Sequence, residues 1–417
     1  MAITFPASPT NGQTFTSGNK TWQWDGTTWL AYGASLSPTV LKVDSANARV
    51  GVNNQSPAYA LDVNGTIEGT QFIQGTDYLS PYQGFRNKII NGDFRINQRG
   101  FTSSTTSATY GFDRWLFFAS GGTVTYSTQS FTVGSPAATG YEAEKFARLV
   151  SAGQSGTGDI AVFQQRIEDV RTFANSTVTV SFFAKAASGT PKVTVELAQV
   201  FGTGGSPSAD VNNYVGQVTL STSWTRYSVT INVPNINGKT IGTNSDSILN
   251  VNLWISAGSS YNARLNSIGI QNNTFDFWGV QVERGSVATP FEQRPLQTEL
   301  ALCQRYYEKS YDLNTVPGTA LAAGWVNGSH ISTAVTTSYI GLGFTYKVSK
   351  RATPTVTIYD PNGNINACQR WTLGASNNNG QNIVVDSSSG QNNVLVYSSG
   401  STSNAGIGFH FVSVSEL

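Results

Sequence analysis

The chain of 417 residues is only 12% charged, against a norm of ~25%, and its formal net charge is +1, which excludes the basic footprint of a nucleic-acid binder or of a protein drawn to acidic membranes. Aromatic residues reach 12% and glycine numbers 42, so the chain lacks the composition of a disordered protein and is expected to fold, over a length that suggests about three domains. Ser, Thr, Asn and Gly are abundant; they disfavour helix interiors and suit turns and exposed strands, so the expected fold class is all-β.

Residues 1–34 contain Thr21-Trp22-Gln23-Trp24-Asp25-Gly26-Thr27-Thr28-Trp29, in which aromatic and polar residues alternate around an Asp-Gly turn, the pattern of a hairpin. So small a unit cannot bury three tryptophans by itself, and cover from other chains is expected. The first six residues show neither a basic nor an apolar run of a secretory signal, so synthesis in a cytosol is expected. No stretch approaches the ~20 apolar residues of a membrane span.

Residues 35–83 offer only short strands, around Leu41–Asp44, Arg49–Val52 and Tyr59–Ile67, and read as a thin stem that needs cover from neighbours. Residues 84–295 are the most strongly β. Segments around Val178–Ala184, Val193–Leu197, Tyr227–Val233, Val251–Ile255 and Phe275–Val282 alternate at period two, with Gly, Asn and Ser turns between them, and predict a two-sheet sandwich or jelly roll. Ile167–Phe173 is read as one helical turn.

Within residues 296–310, Leu296, Leu300, Cys303 and Tyr307 are spaced four, three and four apart after Pro295, which predicts a linking helix. The stripe suits either a three-chain axis or a single helix packed on its own domain. Residues 311–417 return to strands, notably Tyr339–Val348, Thr353–Tyr359 and Ile407–Val414, and form a β-rich tip. Cys303 and Cys368 are too few for a disulfide framework and are read as core thiols, a single bridge between them staying open on sequence alone.

Catalysis has little to draw on. Of the two histidines, His330 and His410, the second alternates with Phe409 and Phe411 and is read as an exposed strand residue; no nucleophile elbow or zinc-ligand spacing is present, and no catalytic residue is assigned. Glu142 and Glu144 would share a strand face, but surface charge explains them as well. Gly341-Leu-Gly343 and Gly406-Ile-Gly408 lack the following helix of a phosphate cradle. Sugar recognition is better served, since it needs flat aromatic faces and neutral amides and hydroxyls. Trp115, Trp254 and Trp278 lie in strand patterns and are read as core; Trp325, Tyr339, Tyr359 and Trp371, beside the loops of the tip, are the candidate glycan-binding residues.

Several motifs resemble those of bacteriophage tail fibres and related receptor-binding virion proteins. Asn87-Lys-Ile-Ile-Asn91-Gly92-Asp93-Phe94-Arg95-Ile-Asn-Gln98-Arg99-Gly100 with Phe112-Asp113-Arg114-Trp115 resembles the opening of a jelly-roll module in such fibres. Phe277-Trp-Gly279-Val280-Gln281-Val282-Glu283 through Pro290-Phe291-Glu292, running into Glu299-Leu-Ala301-Leu302-Cys303-Gln304-Arg305-Tyr306-Tyr307, is similar to its close. Lys350–Thr357 looks like the tip that follows, and Val50-Gly51-Val52 with Leu61-Asp62-Val63-Asn64-Gly65 is similar to a stem unit.

The resemblance implies a homotrimer attached to a phage tail or baseplate protein by its N-terminal part, resident in the virion, whose distal domains recognise a host surface polysaccharide. A collar or baseplate fibre with no receptor binding of its own is the alternative. The central module also resembles carbohydrate-binding modules that carry a structural calcium, but Arg95 stands where their Glu would be, so Asp93 and Asp276 are not expected to hold the ion, and no metal, cofactor, nucleic acid or membrane insertion is expected.

Overall fold

In a computed structural model, the chain is described except at residues 1–2, 19, 33–40, 45, 54–55, 57–59, 64–72, 75–76, 79–83, 331–338, 373–377 and 400–404, together with the side chains of 31–32, 41–44, 62, 73–74, 77–78, 329–330, 339, 372, 399 and 405. It divides into two compact units, residues 1–81 and 82–417. Nearly all regular structure is β-strand, as the composition requires. The described helices are few and short, chiefly Leu296–Gln304 and the single turn Asn262–Leu265.

In the first unit Thr14–Ser17, Lys20–Trp24 and Trp29–Tyr32 form a three-stranded antiparallel sheet. The Asp-Gly turn is held by Asp25, whose Oδ1 accepts from the N–H groups of Thr27 and Thr28 at 2.8 and 2.7 Å. Those N–H groups hold the carboxyl down at about 2. Phe5 stacks on Trp29 and meets Phe15 and Trp22 edge-on, leaving a half-exposed aromatic cluster. Further along, Arg49–Val52 pairs antiparallel with Leu41–Asp44 and parallel with Leu61–Val63.

In the second unit, two six-stranded antiparallel sheets face each other. One has the order Thr109–Tyr110, Leu116–Ser120, Ile160–Glu168, Ile248–Ala257, Lys192–Val200, Val211–Thr219; the other Thr225–Val233, Ser176–Ala186, Thr274–Arg284, Lys145–Ala152, Thr123–Ser130, Ser103–Ser104. Alternate residues point inward: Val193, Val195 and Leu197 from the first sheet meet Val178, Val180 and Phe182 from the second, all fully buried. Each such side chain contributes roughly 1.5–3 kcal/mol on leaving water.

The alternation through Phe275–Val282 is not continuous, contrary to the sequence reading. Phe275 and Phe277 face the core, but so do Val280 and Val282, because Gly279 takes φ +62° and a bulge opens against Ser181–Phe183. The bulge turns Trp278 to the outer face, where it packs on Phe183, Tyr141 and Phe291. Ile167–Phe173 is not a helical turn either. The strand Ile160–Glu168 runs into it, and turns with Asp169 and Phe173 at positive φ follow.

The linking helix is shorter than its stripe. It ends at Gln304 and Tyr307 begins the strand Tyr307–Lys309, so the apolar spacing is not one helical face; Leu296 is 45% exposed while Cys303 is buried. The chain is withdrawn from the helix because Tyr306 and Tyr307 supply rings to the buried Arg114 and the partly buried Arg99, whose guanidinium carbons lie 3.4 and 4.0 Å from the ring centres.

Beyond the helix the organising element is the strand Ala405–Val414. Its outer half pairs with Tyr307–Lys309 and Thr355–Tyr359, its inner half with Val326–His330 and Ala367–Thr372. Ile407, Phe409 and Phe411 face a second core with Ile358, Cys368, Val394 and Val396, closed by the sheet of Tyr339–Thr345, Asn393–Ser399 and Val384–Val385. Cys303 and Cys368 are both free and buried, which leaves no bridge between them.

Candidate functional site

The face of Ala405–Val414 opposite that core bears Gly406, Gly408 and His410 in succession, ~7 Å apart along the strand. Directly paired residues of neighbouring strands share a face. Gly406 pairs with Trp371, Gly408 with Gln369 and Asn327, and His410 with Tyr359. The two glycines are floors for rings: a Cβ on Gly406 would fall 2.3 Å from the Trp371 indole, and one on Gly408 2.3 Å from that of Trp325. With no side chain beneath them, both indoles lie down on the sheet.

Trp325 and Trp371 come together with ring centroids 5.7 Å apart and planes inclined at 39°, each ring half-exposed. Asn327 is exposed beside them, and Gln369 donates to Asn379 Oδ1 at 2.7 Å. Asp360 fixes the hairpin that carries Asn379, accepting from the N–H groups of Asn364 and Gly380 at 2.9 and 2.7 Å and from the Asn364 amide at 2.8 Å. Burial alone would raise the Asp360 carboxyl; these hydrogen bonds hold it below the usual range, so it stays ionised. Among the described residues, rings and uncharged amides make up the open surface.

At the far end of the row His410 is fully buried, not exposed as its alternation suggested. Its ring stacks on Tyr311 at 3.8 Å and 12°, and Tyr311 meets Tyr359 edge-on at 6.3 Å. Nε2 donates to Leu321 O at 2.8 Å, which requires the Nε2–H tautomer, and Nδ1 then accepts from the Ser310 hydroxyl at 2.9 Å; Phe411 N–H in turn donates to Ser310 Oγ. Desolvation lowers the His410 pKa, partly opposed by the Leu321 carbonyl, and keeps the ring neutral.

Three of the four candidate residues, Trp325, Trp371 and Tyr359, therefore share one sheet face. The side chains of Tyr339 and His330 lie outside the described residues. Asn327, Gln369, Asn379 and Tyr311 had no signal of their own, but the alternation Gly406-x-Gly408 held the clue, since glycines at same-face positions of a strand leave room for something flat. Trp115 is buried between the two sheets of the sandwich, and Trp254 and Trp278 are buried on its outer faces.

The other constellations are structural. Glu142 and Glu144 precede the strand Lys145–Ala152; Glu142 accepts from Gly134 N–H at 2.8 Å, and Glu144 is a surface partner of Lys145. Asp93 faces Arg95 at 3.1 Å, and Asp276 is clasped by Arg148 Nε and Nη2 at 2.7 and 2.9 Å, so each carboxylate already meets a cation. Among the described residues no three His, Cys, Asp or Glu converge as a metal set would. A mostly apolar groove of about 520 Å³ runs beside Leu296–Gln304, lined by Phe85, Ala301, Leu302 and Val348 with Gln297, Thr298 and Arg305.

The motif residues that carried the resemblance are buried joints. Asn91 ties Ile96 and Asp113 with its amide and accepts Trp115 Nε1–H on its carbonyl at 2.8 Å. Gln98 joins Asp113 to Tyr307 O, and Arg294 pairs with Glu299 at 3.1 Å. Arg99 and Arg114 both hold Glu416, and Lys350 holds Glu308 at 2.5 Å with both groups buried. These contacts fasten the sandwich to the sheets that follow it.

No family model matches the chain, and no curated protein does. Solved structures similar to part of it include a family 11 carbohydrate-binding module from Clostridium thermocellum in complex with a mixed-linked tetrasaccharide (11% identity, 45% of this chain and 99% of that one, TM-score 0.27). Others are a family 22 module of a Clostridium thermocellum xylanase (13%, 48% and 98%, 0.27) and a putative sugar binding protein from Bacteroides thetaiotaomicron (14%, 48% and 100%, 0.27).

Proposed function

We propose that this chain is a non-enzymatic receptor-binding fibre protein of a bacteriophage tail. It is homotrimeric, held to the tail or baseplate through residues 1–34, and recognises a glycan of the host surface through its distal β domains. The observation that carries the glycan reading is the pair of half-exposed indoles, Trp325 and Trp371, laid on Gly406 and Gly408 and bordered by Asn327, Gln369 and Asn379. Indole faces take the C–H surface of a sugar ring, amides take its hydroxyls, and the absence of charge on the row suits a neutral glycan. The fibre reading rests on the sequence resemblance. Three such sites on one trimer, and several fibres per virion, raise avidity without new contacts.

Labelled full-length chain applied to host cells tests this. Saturable binding that free surface polysaccharide competes away is expected, together with a solution mass of three chains by light scattering; a monomer that binds no cells contradicts both halves. A structural collar or baseplate fibre is the second reading, favoured by the burial of every motif joint described above. A trimer that binds no cells would establish it.

A further inference from the structure

The two outer faces of the sandwich differ. On the sheet containing Ile248–Ala257 the outer face is capped: Ile160, Val162 and Trp254 pack under Leu265 and Ile268, and buried Glu196 accepts from Asn252, Trp254 and Arg264. On the opposite sheet, a row of side chains from four neighbouring strands stands partly open. Ser127 pairs with Arg148, Arg148 with Asp276, and Asp276 with Lys185, so the four lie side by side at the strand spacing of ~4.8 Å.

Asp276 is the buried member, and Arg148 and Lys185 are 32% and 30% exposed. Lys185 Nζ lies 3.8 Å from Asp276 Oδ2 and 5.3 Å from the centre of the Trp224 ring. Two cations thus share one carboxylate, and one positive charge is left over beside a half-exposed indole that rests on Phe131 and Phe146 at 5.4 Å. Beyond Arg148 the row continues in neutral groups, with Gln129 Nε2 donating to Ser127 Oγ at 3.1 Å. In a chain so poor in charge, a surplus cation between an indole and a run of hydroxyl and amide groups is a local specialisation.

We infer that this open sheet face is a second glycan site, separate from the tip platform, and that it takes a carboxylate-bearing sugar, a hexuronate. The carboxylate lies between Lys185 and Arg148, the ring rests against Trp224, and hydroxyls meet Ser127 and Gln129. Arg148 spends Nε and Nη2 on Asp276, which fixes its plane, and presents its remaining Nη1 side without having to be ordered on binding. The tip platform then reads a neutral part of a polysaccharide and the sandwich an acidic one.

The test is an array of glucuronate and galacturonate oligosaccharides beside their neutral hexose counterparts, probed with the full chain and followed by titration calorimetry of the best binder. Hexuronates are expected to bind roughly tenfold or more tighter than the neutral counterparts, with affinity falling as salt rises. Lys185→Gln and Trp224→Ala should each reduce hexuronate affinity by about tenfold, while Trp371→Ala leaves it unchanged. Equal binding of the neutral counterparts, no hexuronate bound, or full affinity in Lys185→Gln would overturn the inference. Lys185→Gln replaces a half-exposed chain by one of similar length, so it decides the matter should Trp224→Ala fail to fold. Loss of hexuronate binding in Trp371→Ala would assign that binding to the tip instead.

Discussion

Gly406 and Gly408 show how much of a surface can depend on a missing atom. Gly408→Ala places a methyl 2.3 Å from the Trp325 ring, which must lift, so the platform is lost for a fold cost of about 1–3 kcal/mol. The expected outcome is a chain that still unfolds cooperatively, at a slightly lower temperature, but with glycan binding reduced at least as much as in Trp325→Ala. Asp93 is a second residue with an exposed consequence. Burial, reinforced by Glu299 and opposed by Arg95, raises its carboxyl to about 6 from 3.8. The folded chain binds the proton more tightly than the unfolded one, so this stability is fully present below pH 3.8 and lost as pH rises through 6. Asp93→Asn should therefore unfold at higher temperature than wild type at pH 7, by up to about 3 kcal/mol, and the two should converge near pH 4 in thermal scans. His410 has the opposite sign. Its pKa is lowered, so its stability is present above pH 6.5 and is lost as pH falls below that value.

At the scale of elements, the strand Ala405–Val414 and the three residues after it are what join the tip sheets to the sandwich. Glu416 is held between Arg99 and Arg114, Arg351 bonds Ser415 O and Glu416 O, and both arginine–tyrosine stacks lie alongside. Removing one partner of a buried pair leaves the other charge unpaired, at a cost of about 3–5 kcal/mol. Glu416→Ala should therefore separate a single calorimetric unfolding step into two, the tip sheets melting first; one unchanged transition would show that the joint is held elsewhere. The helix Leu296–Gln304 teaches the limit of periodicity. Four apolar residues at helical spacing were legible, but the chain leaves the helix before Tyr307, because pairing that ring with Arg99 is a long-range gain no local pattern encodes. Gly279 is the same lesson within a strand, since it lets an apolar run change faces in mid-sheet.

For the whole molecule, the β character and the two-sheet sandwich were legible because alternation is local: each strand announces its buried face within five to nine residues. The candidate site was legible only in kind. Trp325 and Trp371 were named for their chemistry, yet they are far apart in sequence and meet only because Ala405–Val414 pairs with both of their neighbourhoods. The long motifs that pointed to a fibre proved to be joints: the buried Asn91 amide makes three hydrogen bonds that a substitute would leave unmet, while the candidate platform carries only rings and amides common in the chain.

The central claim is that the tip platform binds glycan, and the direct measurement is a bacterial-glycan array probed with the wild-type full chain, Trp371→Ala and Trp371→Phe. Binding to neutral glycans that falls by tenfold or more in Trp371→Ala and that Trp371→Phe partly restores is the expected result. Neutral-glycan binding of equal strength in all three proteins would contradict it.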